Sequence, residues 1–129
     1  MTGLNERLER GWKARREALG EERYAGLMKD PSKVNRRWQD FVAEYSWGEC
    51  WTDPTLSPRD RSILMLGINA ALGRPEEFEG HVTNALRNGL SMDEIEALLV
   101  MIGVYCGVPV GSMCHRAISN VLKQRAETE

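Results

Sequence analysis

Glu77 and His81 stand four residues apart in the run Glu77-Phe78-Glu79-Gly80-His81-Val82. On a helix, that spacing puts a carboxylate and an imidazole on one face, a turn apart. Such a pair can move protons near neutral pH. The carboxylate is expected to fix the imidazole tautomer and to raise its pKa. A second acid, Glu49, lies between Trp47 and Trp51 in Trp47-Gly48-Glu49-Cys50-Trp51-Thr52-Asp53-Pro54. Enclosed by two indole faces, its carboxyl group would be desolvated and able to carry a proton. Arg59, Arg61 and Arg87 are candidate anion clamps, because guanidinium meets a carboxylate through two parallel bonds. Arg61 is preferred, since it directly precedes the apolar run from Ser62 to Leu72 and is expected to point inward.

Each residue also has a plainer reading. His81 is then a half-buried histidine bonded to a neighbour, Glu49 a solvated loop acid, and the tryptophans hydrophobic anchors. Arg87 then complements the C-terminal end of its helix. Cys106 reads as a small core hydrophobe. Cys50, Cys114 and His115 match no metal-ligand spacing, so no metal is expected.

The elements that must position these residues read as helices throughout. Leu4 to Leu19 is polar, with Leu4, Leu8, Trp12 and Leu19 apolar and Gly20 as its stop. Its Arg7, Arg10, Lys13, Arg15 and Arg16 alternate with Glu6, Glu9 and Glu17, the pattern of a solvated, salt-bridged face. Asp30-Pro31 offers a cap and a first-turn proline. Val34, Trp38, Phe41, Val42 and Tyr45 then form one stripe that stops at Gly48. Ser57-Pro58 opens a helix whose Ile63–Leu72 stretch is apolar nearly all round and is expected to be buried. Gly73 and Pro75 separate it from the helix carrying Glu77 and His81, which ends at Asn88-Gly89. Ser91 and Glu94 form a capping box. Ile95, Leu98, Leu99 and Ile102 mark the packed face that follows, and Gly107-Val108-Pro109 breaks that helix after Tyr105. The last helix starts near Val110, with Met113, Ala117, Ile118, Val121 and Leu122 inward.

These signals predict an all-α fold of about six helices, with residues 1–129 as a single domain. The chain has 129 residues, 42% of them hydrophobic and 28% charged, which suffices for an apolar core without disulfides or metal. A net charge of −2 gives no reason to expect nucleic acid or an anionic membrane as partner. No apolar run reaches the length of a membrane span, and no signal peptide is evident, so a cytoplasmic protein is expected. The three cysteines form no C-x-x-C pair. The apolar surplus of the central helices predicts association with further copies of the chain.

At these residues the chain resembles the carboxymuconolactone decarboxylase family, and within it the 4-carboxymuconolactone decarboxylases. The matching text runs from Arg15-Arg16-Glu17-Ala18-Leu19-Gly20 through Phe41, Trp47-Gly48-Glu49, Trp51-Thr52, Pro54, Arg61-Ser62 and Ala70 to Gly73. It continues in Glu76-Glu77, His81, Ala85, Asn88-Gly89, Asp93-Glu94-Ile95 and Tyr105-Cys106-Gly107-Val108-Pro109. The resemblance implies an alkylhydroperoxidase-like helical fold and a ring-shaped homo-oligomer, a hexamer or a trimer. It implies an enzyme of protocatechuate catabolism in the β-ketoadipate pathway, a lyase that converts 4-carboxymuconolactone to the 3-oxoadipate enol-lactone with no cofactor.

That reaction must accept electrons from the breaking bond, hold a second carboxylate and return a proton to carbon. His81 is expected to deliver the proton, with Glu49 as its partner or as an alternative donor. Arg61, Glu77 and Tyr105 are expected to contact the substrate, and Trp47 and Trp51 to exclude water. Peroxidase-like members of the family carry C-x-x-C ahead of the histidine. Aligned through His81, those cysteines fall at Arg74 and Glu77, so that redox chemistry is not expected here. Asp53, Thr55, Cys50, Ser112 and Met113-Cys114-His115 depart from the decarboxylase pattern. The departures leave open a non-redox lyase, isomerase or hydrolase acting on a related lactone or oxo-acid, or a helical oligomer without catalysis.

Overall fold

A computed structural model describes residues 3–128, with side chains from Glu6 onward. Every regular element among the described residues is helical, and none is a strand. None of these helices is long and apolar enough to cross a membrane. The chain falls into two compact units, Met1–Thr55 and Leu56–Glu129.

The first unit contains α1 (Gly3–Leu19), α2 (Glu21–Leu27), α3 (Lys33–Phe41) and a π-helical segment, π1 (Val42–Trp51). The second contains α4 (Pro58–Ala71), α5 (Pro75–Arg87), α6 (Met92–Cys106) and α7 (Val108–Thr128). The expectation of about six helices missed α2, because its short Glu-Glu-Arg-Tyr run carries no apolar period. Leu4 lies on α1, with its side chain outside the described residues.

Unit Leu56–Glu129 forms as its punctuation predicts. Ser57 caps α4 by accepting from the Asp60 N–H at 3.1 Å, with Pro58 in the first turn. Gly73 and Gly89 take positive φ after α4 and α5. The turn at Gly89 lets the Leu90 N–H return to the Ala85 carbonyl at 3.0 Å and buries the Leu90 side chain. Ser91 and Glu94 make both bonds of the capping box. The core is apolar, built on Leu66, Phe78, Val82, Ile95, Ile102 and Val121. Gly111 packs against Gly103, where an added Cβ would lie 3.1 Å from Gly103 Cα, so α6 and α7 approach closely.

Three expectations for this unit are corrected. The Ile63–Leu72 run is not buried all round: Leu66 and Ala70 face the core, while Leu64, Ile68 and Leu72 are exposed. Leu122 is also exposed, and the buried α7 residues that the pattern missed are Gly111 and Cys114. Cys106 is no core hydrophobe; it is exposed, and Cys114 takes the packed position.

Unit Met1–Thr55 departs further from its pattern. The cap of α3 is Ser32, which accepts from the Asn35 N–H, while Asp30 accepts from Ser32 N–H and Oγ–H one step earlier. Gly48 does not end the helix. The chain continues in π winding to Trp51, and Gly48 is buried, because α1 crosses π1 at this point. A Cβ at Gly48 would collide with the Arg7 carbonyl, and one at Gly11 with the Ala43 carbonyl. Two glycines on facing helices thus permit the close crossing. The α3 stripe is not packed inward either, since Val34 is 81% exposed and Trp38, Phe41 and Tyr45 are exposed. Their rings pack on one another instead, with Trp38–Phe41 and Phe41–Tyr45 centroids 5.6 and 5.1 Å apart.

Candidate active site

His81 sits in the middle of α5, between the buried Phe78 and Ala85 and next to the buried Val82. These neighbours leave the imidazole half-buried. Its Nδ1 is fully buried and has no hydrogen-bond partner. An imidazolium needs an acceptor at each nitrogen, so this setting favours the neutral ring. Burial accordingly holds the His81 pKa below its ordinary value, and the charge of Glu77 offsets only part of that effect. The expectation that Glu77 would raise the pKa overall is therefore corrected: the carboxylate acts in the predicted direction, but desolvation is larger. Glu77 itself is exposed on the first turn of α5.

The other candidates of this unit lie on α4 and α6. Arg61 is half-buried in the first turn of α4, and its backbone N–H donates to the Ser57 carbonyl at 3.0 Å. Beside it, Ser62 is fully buried and accepts from Asn88 Nδ2 at 3.0 Å, which ties α4 to the end of α5. Sequence reasoning did not single out this bond, although Arg61-Ser62 and Asn88-Gly89 are part of the quoted resemblance. Arg59 is ion-paired with Glu94, the acid of the capping box, so it is already engaged within the scaffold. Arg87 occupies the last turn of α5, where a cation complements the helix dipole. Tyr105 is 81% exposed. It borders an apolar groove of about 490 Å³ between α4 and α6, together with Ile63, Leu64, Leu98, Met101 and Cys106.

Trp47, Glu49 and Trp51 belong to unit Met1–Thr55, all on π1. The two indoles are half-buried, their ring centroids 6.1 Å apart. The Glu49 side chain is 60% exposed and pairs with Arg7 Nη1 at 3.5 Å. The expected desolvated carboxyl group is thus corrected to a solvated one held by a guanidinium. π1 turns Glu49 outward while its neighbour Gly48 faces α1. After π1, Asp53 shapes the loop by accepting from the Thr55 N–H at 2.9 Å. Two of the departures from the decarboxylase pattern therefore make one local turn.

Arg7 also donates to Glu44 Oε1 at 2.8 and 3.2 Å, and its guanidinium lies 4.7 Å from the Tyr45 ring centroid. Arg10 donates twice to the Gly48 carbonyl, at 3.0 and 3.2 Å. Arg15, 7% exposed, donates to the Gln39 carbonyl at 3.1 Å. The reading of α1 as a solvated, locally paired face is therefore corrected for these three arginines. It holds for Arg16, which pairs with nearby Glu21 at 2.7 Å. The missed signal was Gly11, a mid-helix glycine that marks a close approach.

Among the described residues, no three His, Cys, Asp or Glu side chains gather as a metal site requires. Cys50, Cys106 and Cys114 are all free thiols, and burial pushes the Cys114 thiol pKa up.

The sequence profile of the Carboxymuconolactone decarboxylase family matches residues 36–112, a stretch that includes Glu49, Arg61, His81 and Tyr105. The chain is 29% identical over 118 residues to 4-carboxymuconolactone decarboxylase of Acinetobacter baylyi, covering 92% of this chain and 88% of that protein. It is 32% identical over 107 residues to nitrosuccinic acid decarboxylase npaB of Metarhizium robertsii, covering 82% of this chain and 75% of that protein.

Proposed function

The chain belongs to the carboxymuconolactone decarboxylase family, and from that premise we propose that it is a cofactor-independent carboxy-lyase. Its substrate is a small dicarboxylate with an electron sink conjugated to the carbon that loses carbon dioxide. The first choice is 4-carboxymuconolactone, converted to the 3-oxoadipate enol-lactone in protocatechuate catabolism. The similarity to npaB supports a second choice, nitrosuccinic acid. The two compounds share a chemical logic. One carboxylate leaves, the bonding electrons pass into the conjugated lactone or the nitro group, and a second carboxylate remains as a handle.

The observation that carries this reading is the half-buried imidazole of His81, held neutral by its surroundings. An anionic substrate beside the ring favours the charged form and counters desolvation. His81 then takes up a proton as substrate binds and returns it to carbon after carbon dioxide departs. Arg61 anchors the retained carboxylate. Glu77 supports the charged ring, and Tyr105 contacts the substrate. Glu49, solvated and paired with Arg7, is the second candidate to carry the proton, and Trp47 and Trp51 are the candidates to exclude water.

The same reading treats residues 1–129 as one domain of a ring-shaped homo-oligomer, a hexamer or a trimer. The exposed Leu64, Ile68 and Leu72 of α4 and Val100, Met101 and Val104 of α6 support association, because water leaves such side chains readily for an apolar partner. A cytoplasmic location suits the exposed free thiols of Cys50 and Cys106.

The test is incubation of the purified chain with 4-carboxymuconolactone and, separately, with nitrosuccinic acid, following release of carbon dioxide. Release from either is the expected result, and release from neither overturns the substrate class. His81→Gln should lower turnover by roughly two to four orders of magnitude. Near-normal turnover in that variant removes His81 from the mechanism.

A further inference from the structure

The π winding of residues Val42–Trp51 needs an explanation beyond its own sequence. π-helices are rare and occur mostly as single-turn bulges. A run of ten residues persists only if something outside it favours that winding over the α form. The structure supplies such a support from α1. Arg10 sends two donors to the Gly48 carbonyl near the C-terminal end of π1, and Thr52 Oγ1 adds a third at 2.8 Å. Terminal carbonyls lack main-chain partners and are stabilised by cations close by. Arg7, one turn earlier on α1, grips Glu44 and Glu49 on successive turns of π1 and covers the Tyr45 ring. The glycine crossing at Gly11 and Gly48 brings α1 near enough for both arginines to reach.

We infer that Arg7 and Arg10 are positioning residues: they hold π1 in its wide winding and so set the direction in which Trp47, Glu49 and Trp51 are presented. An α-helix advances 100° per residue, at 3.6 residues per turn. A π winding turns less per residue, so the difference accumulates along the segment. Glu49, seven residues beyond Val42, would face another side of the helix after rewinding. The consequence for catalysis rests on the proposed reading that this segment serves the site.

The experiment compares the full-length chain with Arg10→Gln, Arg10→Lys and Arg7→Gln. It measures hydrogen exchange of the 42–51 amides and the near-ultraviolet circular dichroism of the coupled Trp47–Trp51 pair. In Arg10→Gln, the 42–51 amides should exchange about tenfold faster or more, while α4 to α7 keep their protection. The tryptophan signal should change as well, and Arg10→Lys should restore part of both. Arg7→Gln should give the same pattern, weaker, because it leaves the carbonyl contact in place. Arg16→Gln, which breaks the exposed pair with Glu21 and the contact with the Tyr24 ring but touches nothing on π1, should leave the 42–51 amides and the Trp47–Trp51 signal unchanged.

Unchanged exchange and an unchanged tryptophan signal in Arg10→Gln overturn the inference. Loss of protection spread equally over α4 to α7 also overturns it, because Arg10 would then serve general stability alone. Turnover of 4-carboxymuconolactone separates this inference from the functional reading. If the segment serves the site, Arg10→Gln should lower kcat roughly ten- to a hundredfold. Full turnover in Glu49→Gln, Arg10→Gln and Arg7→Gln, with the exchange change present, would refute the role of the segment in the site and leave the positioning result standing.

Discussion

The two units of this chain are held together by different physics. Unit Leu56–Glu129 is a helical assembly with an apolar core, in which Phe78, Leu66, Ile95 and Val82 are almost fully buried. In unit Met1–Thr55, Ala43 is the only apolar side chain buried among the described residues; Gly11, Gly48 and Arg15 are the others. Its helices are joined by guanidinium bonds to carbonyls and carboxylates, by an indole N–H from Trp12 to Asp40 at 2.7 Å, and by a glycine crossing. A core driven by apolar burial tolerates small adjustments of helix rotation. A unit held by directional bonds and close backbone contact specifies rotation more strictly, but any single lost bond is felt. The half-buried imidazole of His81 lies in the first kind of unit, and the indole-flanked Glu49 in the second.

The sharpest test of this contrast is removal of the largest core side chain. Phe78→Ala should cost about 3–5 kcal/mol by urea titration, as expected for a fully buried aromatic ring. A cost below about 1 kcal/mol would mean that the α5 face is not a packed core. Next comes a gain of atoms instead of a loss. Gly11→Ala adds one methyl group where the Ala43 carbonyl stands, and should cost about 3 kcal/mol. Its damage should appear as faster hydrogen exchange within residues 3–55. A neutral or stabilising outcome, the usual result of Gly→Ala in a helix, would refute the close crossing.

Smaller effects refine the picture. Ser91→Ala removes the hydroxyl of the capping box and should cost about 1 kcal/mol, read from the thermal midpoint. No change would show that Glu94, already tied to Arg59, holds the end of the helix without the cap. The last prediction concerns pH. His81 has a folded pKa below its unfolded value, so the folded state binds fewer protons in the window between the two. Stability should therefore decline as pH falls below about 6.5, level off below the folded value, and show no contribution from His81 at higher pH. The urea midpoint should drop between pH 7 and 5 more in the wild type than in His81→Gln. Equal slopes would mean that the imidazole is not desolvated.

Legibility in the sequence followed the same division. Ser57-Pro58, Gly73, Pro75, Gly89, Ser91 and Gly107 marked the helix ends of the second unit correctly, because caps and positive-φ glycines act through local geometry. The buried positions of Ile95, Ile102, Ala117, Ile118 and Val121 followed from apolar spacing. In the first unit the same rules misled. Val34, Trp38 and Phe41 have the spacing of a packed stripe and yet are exposed. Gly48 has the look of a stop and is a contact. Arg7, Arg10 and Arg15 of α1 alternate with acids and yet bond to groups roughly 25–40 residues away along the chain.

The sequence alone determined the all-helical class, the helix limits of the second unit, and the spacing that puts Glu77 one turn before His81. These depend on a few consecutive residues, and short-range sterics and hydrogen bonding decide them. Tertiary structure alone decided that desolvation outweighs Glu77 at the imidazole, that Glu49 is solvated and gripped by Arg7, and that residues 42–51 wind as a π-helix. Each of these depends on what surrounds a side chain or a carbonyl, and residue spacing along one helix does not contain that information.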